Sequence, residues 1–126
     1  MRRTYETGGF EDVGGYARAV RSGDWIAVSG TAATGADGHA LHPGDVAQQT
    51  RRAFEIAIDA LVNLGGKLEN VLRTRMYLAP DTDWRAAVDV HREFFGEAKP
   101  ANTTLFVAGF PPAGVLVEVE VDAVVE

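Results

Sequence analysis

The segment from Val115 to Val124 alternates with a period of two: Val115, Val117, Val119 and Val121 fall on one side of an extended chain, and Glu118, Glu120 and Asp122 on the other. That pattern commits the segment to a β-strand with one face in a core and one acidic face. The acids then meet either water or cations. In Val71 to Ala79, Arg73, Arg75 and Tyr77 share one side, so pairing the two strands, within a chain or between copies, sets guanidinium groups against carboxylates.

Between Asp45 and Gly66 the period changes. Ala53, Phe54, Ala57, Ile58, Leu61 and Leu64 recur at steps of three and four, which predicts a helix with one apolar face, while Arg51, Arg52, Glu55 and Asp59 line the other. Asp45 stands as N-cap with Gln48 in the capping-box position, and Gly65-Gly66 ends the helix. A second helix is expected from about Asp83, another N-cap, to Gly96, with Ala87, Val90 and Phe94 apolar, flanked by Val88 and Phe95. Ala17 to Arg21 and Trp25 to Gly30 read as a hairpin about Ser22-Gly23-Asp24, and Thr31 to Gly44 as a loop. Val71 to Ala79 reads as a strand ended by Pro80, and Thr103 to Ala108 as a strand joined to the last one through the Pro111-Pro112 turn.

The order ββαβαββ predicts an α+β fold, a two-layer sandwich with a mixed sheet and two helices on one face. At 126 residues the chain is read as a single domain, 1–126. The other face of the sheet needs cover, with Ile26, Val28, Val117, Val119 and Val121 expected to contribute to faces partly open to water. A homo-oligomer supplies that cover.

Composition narrows the function classes. An apolar fraction of 46% and a charged fraction of 24%, with no signal peptide, lipidation motif or long apolar run, predict a cytoplasmic protein with no membrane partner. Without cysteine there is no thiolate catalysis, disulfide or cysteine metal site. A net charge of −6, with no basic run beyond Arg2-Arg3, argues against nucleic acid as a partner. His39, His42 and His91 lack metal-ligand spacing, so no metal is expected.

Tyr16, at the end of Gly14-Gly15-Tyr16, and Ser29-Gly30, at the end of a strand, stand where hydroxyls and a backbone N–H can face a ligand. Ser29 is not a triad nucleophile, since no histidine and acid are placed to activate it and no nucleophile elbow surrounds it. His91, between Val88 and Phe95, reads either as a half-buried core histidine or, with an ordinary pKa of about 6.5, as a proton-transfer group.

Taken in order, Gly15-Tyr16, Val28-Ser29-Gly30, Asp45 through Arg51, Val71 through Leu78, Phe94-Phe95, Pro100-Ala101 and Val117-Glu118-Val119-Glu120 resemble the RidA/YjgF/YER057c/UK114 family, once described as L-PSP endoribonucleases, over nearly the full chain. The resemblance implies a chorismate-mutase-like (YjgF-like) fold and a homotrimer with three clefts between neighbouring subunits. It implies no cofactor and no metal. The family's best-known activity is hydrolysis of enamine and imine intermediates, such as 2-aminoacrylate, to a keto acid and ammonia. It also implies that Glu118, on the last strand, is the catalytic glutamate that orients or activates water.

In those members an arginine directly after the Pro-Ala pair clamps the substrate carboxylate. Here that position is Asn102, whose amide donates hydrogen bonds without a charge. The expected ligand is therefore a small enamine or imine that differs from simple 2-imino acids. Asn102, Thr104, Tyr16, Ser29 and Gly30 would bind it, with Arg75 as a relocated cation and His91 as a further cleft candidate. The alternatives are a non-catalytic metabolite-binding or structural trimer, with Glu118 paired to an arginine, and a tautomerase-like acid–base catalyst in a biosynthetic pathway.

Overall fold

A computed structural model describes residues 1–126. In chain order the elements are β1 (Arg2–Tyr5), a short helix α1 (Phe10–Gly14), β2 (Ala19–Ser22), β3 (Trp25–Thr31), α2 (Val46–Asn63), a 3-10 turn at Leu68–Asn70, β4 (Val71–Leu78), α3 (Trp84–Phe95), β5 (Ala101–Phe106) and β6 (Val117–Val124). One six-stranded sheet runs β1-β2-β3-β6-β4-β5. Its pairs are antiparallel except β4 with β5, which α3 joins as a parallel crossover. This is the expected α+β sandwich with a mixed sheet, extended by β1 and α1, which the ββαβαββ reading lacked.

Both long helices start where their caps stand. The Asp45 side chain accepts from the Gln48 N–H at 3.1 Å, and Asp83 from the Ala86 N–H at 3.2 Å. The capping box at Asp45 is only half formed, because the Gln48 side chain accepts from Arg51 Nη1 instead of reaching back. Ala53, Phe54, Ala57 and Leu61 of α2 are fully buried, and Phe54 meets Phe95 of α3 edge to face at 5.1 Å.

The helices cover the valine face of β6. Val117, Val119, Val121, Ile26 and Val28 are all buried beneath them. This corrects the expectation that these residues contribute to faces open to water, because α2 lies directly on β3 and β6. The uncovered face instead carries the polar side chains of β4 and β6, with Trp25 and Leu105 exposed beside them.

Two features shape the ground around this open face. β3 and β6 lose register between Val28 and Thr31, a bulge that lies at Ser29-Gly30. The fully buried Gln49 of α2 ties down the segment after Pro111-Pro112: its Nε2 donates to the Gly114 carbonyl at 3.0 Å, and its Oε1 accepts from the Leu116 N–H at 2.8 Å.

Candidate active site

Register on the open face sets Arg73 opposite Asp122, Arg75 opposite Glu120 and Tyr77 opposite Glu118. The side chains bond one step along the diagonal. Arg75 Nη1 donates to Asp122 Oδ2 at 2.9 Å, and the Tyr77 hydroxyl donates to Glu120. Glu118, the last acid of the row, is left with no side-chain hydrogen bond or ion pair in the chain. The structure therefore places Arg75 against Asp122 and away from the cleft that holds Glu118.

That cleft has a volume of about 290 Å3, with Tyr16, Arg18, Thr34 and Glu118 as its polar side chains, the Gly30 backbone beside them, and Phe10, Val13, Pro111 and Pro112 among its apolar walls. A Cβ at Gly30 would lie 2.8 Å from Glu118 Oε1, so a side chain there would displace the carboxylate. Gly14 has the same role for Tyr16, whose ring would come within 2.6 Å of an added Cβ. Burial pushes the Glu118 carboxyl above the usual carboxylate range; the Arg18 charge pulls it down, and Glu120 pushes it up further. A half-buried carboxyl held this way can take and return a proton nearer neutral pH than a free one.

Arg18 was not among the residues singled out from the sequence. Its Nη2 donates to the Gly30 carbonyl at 2.6 Å, and its guanidinium carbon lies 5.7 Å from the centre of the Tyr16 ring. The hairpin register contains the missing signal. Ser22 faces Trp25 and Ala19 faces Val28, so counting back one more residue sets Arg18 across from Ser29, beside Gly30.

The remaining candidates lie elsewhere. The Ser29 hydroxyl donates to the Ala17 carbonyl at 2.7 Å and does not line the cleft. His91 is packed between Phe54 and Phe95, with Nε2 2.7 Å from the Thr74 hydroxyl, and burial lowers its pKa. Asn102 Nδ2 donates to Thr74 Oγ1 at 3.0 Å, and the Thr104 hydroxyl donates to Asn102 Oδ1 at 2.8 Å. Asn102 and Thr104 thus share the helix-covered side of the sheet with buried Thr74, on its edge strand. Glu118 faces the other side, with β4 between, so roughly 10 Å of sheet separates them in addition to the opposite facing. One chain cannot bring Asn102 and Glu118 onto one ligand.

A second hollow of about 500 Å3 adjoins the first and shares Arg18, Phe10 and Val13 with it, but Glu118 and Tyr16 do not reach it. The smaller cleft is the one that Glu118 lines. No three histidine or carboxylate side chains come together to hold a metal ion, and no helix is long and apolar enough to cross a membrane.

The sequence matches the family described as Endoribonuclease L-PSP over residues 9–125. A protein of Streptomyces coelicolor described as uncharacterized is 40% identical over 98% of this chain and 91% of its own. The 2-iminobutanoate/2-iminopropanoate deaminase of Capra hircus is 30% identical over 89% of this chain and 80% of its own. Among solved structures, a member of the YjgF/YER057c/UK114 family from Mycobacterium tuberculosis superposes with a TM-score of 0.89 at 36% identity, covering 99% of this chain and 100% of that one.

Proposed function

The chain belongs to the endoribonuclease L-PSP family, which is the RidA/YjgF/YER057c/UK114 family, and from that premise we propose that it hydrolyses a small, reactive imine or enamine to a carbonyl compound and ammonia. The observation that carries this reading is Glu118: the one acid of its row left unpaired, half-buried, with a raised pKa, on the wall of an apolar cleft. An enamine first takes a proton on carbon and gives one up from nitrogen, becoming the imine. Glu118 then takes a proton from water as the water oxygen bonds to the imine carbon, and returns it to nitrogen, giving a carbinolamine. A second transfer, from the carbinolamine hydroxyl to the amine, breaks the C–N bond and releases ammonia.

The substrate differs from simple 2-imino acids because Asn102 offers a neutral amide where the family's arginine would clamp a carboxylate, a loss of about 1.5–3 kcal/mol for that charged hydrogen bond. A homotrimer is part of the proposal. Asn102 and Thr104 reach a Glu118 cleft only from a neighbouring copy, and such a neighbour also covers the open sheet face with its exposed Trp25 and Leu105. Ribonuclease activity fits poorly with a net charge of −6.

The test is ammonia release from freshly generated 2-aminoacrylate and bulkier imines by the wild type and by Glu118→Gln. Loss of acceleration by about a hundredfold or more in a folded variant is expected of a general acid–base group. Equal rates would overturn the assignment of Glu118.

A further inference from the structure

Arg18 is the only cation lining the cleft that holds Glu118, and its side chain is 13% exposed. A guanidinium so deep in the protein normally has its donors paired. This one makes a single hydrogen bond, from Nη2 to the Gly30 carbonyl, and its Nε is buried with no partner. The buried Glu11 offsets part of its charge but accepts none of its donors: Nη1 stands 3.8 Å from that carboxylate, an ion-pair distance too long for a hydrogen bond, while the Glu11 oxygens accept from the Thr7 N–H and hydroxyl. The Gly30 carbonyl and the Tyr16 ring hold the guanidinium in place while most of its donors stay without a hydrogen-bond partner.

We propose that Arg18 binds the anionic group of the ligand, a carboxylate, inside the Glu118 cleft, and so supplies the charge that Asn102 lacks. That this ligand is the hydrolysed imine rests on the deaminase reading, whereas the anion site stands on the geometry alone. A cleft of about 290 Å3 is at the small end of ligand pockets, so the carboxylate belongs to a small molecule. Glu118 and Glu120 add negative charge on the neighbouring strand, which disfavours a dianion such as phosphate relative to a monoanionic carboxylate. The carboxylate would sit on the Tyr16–Gly30 side of the cleft, away from the sheet edge that carries Asn102. This displacement explains why a ligand can be anionic and yet unlike the simple 2-imino acids.

The experiment is calorimetric titration of the wild type, Arg18→Gln and the surface control Arg85→Gln with 2-oxobutanoate, its primary amide and inorganic phosphate. Wild type and Arg85→Gln should prefer the acid over the amide by at least about tenfold, and Arg18→Gln should lose that preference. A preference that survives in Arg18→Gln, or is absent from the wild type, overturns the proposal; phosphate binding more tightly than the acid overturns the choice of carboxylate. If Arg18→Gln does not fold, the Arg18 Nε–H resonance of the wild type decides, assigned by its loss in Arg18→Lys. It should move with the acid and not with the amide, and no movement overturns the proposal. An Arg18-dependent preference in a protein that hydrolyses none of the imines would sink the deaminase reading and leave the anion site standing. Glu118-dependent hydrolysis without any such preference would do the reverse.

Discussion

The carboxylate of Glu118 rests on the backbone of Gly30, with Oε1 standing 2.8 Å from the point a Cβ at residue 30 would occupy. The contact lies beside the bulge that breaks the β3–β6 register, so the absence of a side chain at one strand position makes room for the acid of another. Gly30→Ala must push the carboxylate aside. The expected result is a loss of about tenfold or more in kcat, equivalent to about 1.4 kcal/mol, in a protein that still folds. Steady-state kinetics with a melting curve checks this, and unchanged kcat would mean that the position of Glu118 over Gly30 is irrelevant to turnover.

Burial raises the Glu118 pKa, and the sign of its effect on stability follows. A carboxyl that holds its proton more tightly when folded contributes stability that is complete below its ordinary value of 4.5 and is lost as pH rises through the raised one. Glu118→Gln should therefore melt at the same temperature as wild type near about pH 4 and at a higher temperature near about pH 8. A buried partnership with an arginine of another copy predicts the opposite, a variant that melts lower at neutral pH. Melting temperature against pH for the two proteins separates these outcomes.

The parts of the fold that were legible in sequence are those where one period dominates. The valine alternation of β6, the three- and four-residue steps of α2, and the caps Asp45 and Asp83 each state an element without outside help. β1 carries no such pattern: Arg2-Arg3-Thr4-Tyr5 is an edge strand held by pairing with β2, and only the folded sheet calls for it. α1 is five residues between glycines, too short for a period. Which side of the sheet the helices take is also not written in any one strand, which is why Ile26, Val28 and the β6 valines were assigned to the wrong environment. In the site, Tyr16, Gly30 and Glu118 stand out in the sequence and line one cleft, whereas Arg18 reads there only as part of the Ala17 to Arg21 strand. Its significance depends on the cross-strand register and on the depth of the cleft.

On the other side of the sheet, four side chains form a directed chain. The Thr104 hydroxyl donates to Asn102, Asn102 Nδ2 donates to Thr74, and the Thr74 hydroxyl shares a hydrogen bond with His91 Nε2 at 2.7 Å. Burial lowers the His91 pKa, which favours the neutral ring. Thr74→Val takes the partner from His91 Nε2 at a buried position, and one hydrogen bond from Asn102, and should destabilise the protein by about 1–3 kcal/mol. Because a depressed histidine pKa contributes stability above the ordinary value of 6.5 and loses it as pH falls through the folded one, wild-type stability should decline on acidification in that window. Denaturant melts as a function of pH test both, and a His91→Gln variant with the same acid-side decline would remove His91 as its cause.

Gln49 is a polar side chain spent entirely on backbone. Its three hydrogen bonds reach the His42 and Gly114 carbonyls and the Leu116 N–H, which anchors the segment following the Pro111-Pro112 wall of the cleft. Gln49→Leu keeps the volume and removes the bonds, at a cost of about 1–3 kcal/mol for each backbone group left dry. With the proline wall loosened, KM for the hydrolysed imine should rise more than kcat falls. A fall in kcat alone would place the effect at Glu118 and not at the wall.

Asn102→Arg tests whether the β5 edge of a neighbouring copy closes the cleft. Within one chain the new guanidinium would lie on the sheet face opposite Glu118, where it can do nothing for a ligand beside that acid. Across a subunit boundary it would add a second cation to the one Arg18 provides. The substitution also breaks the Asn102–Thr74 hydrogen bond, costing about 1 kcal/mol of stability that a melting curve will register. If the neighbour completes the site, kcat/KM for 2-iminobutanoate should rise by about tenfold, a charged hydrogen bond's worth of binding. The same substitution in an Arg18→Gln background should recover part of the lost preference for the acid. No gain in a folded oligomer would exclude the β5 edge from the cleft and leave Arg18 as its only anion-binding group.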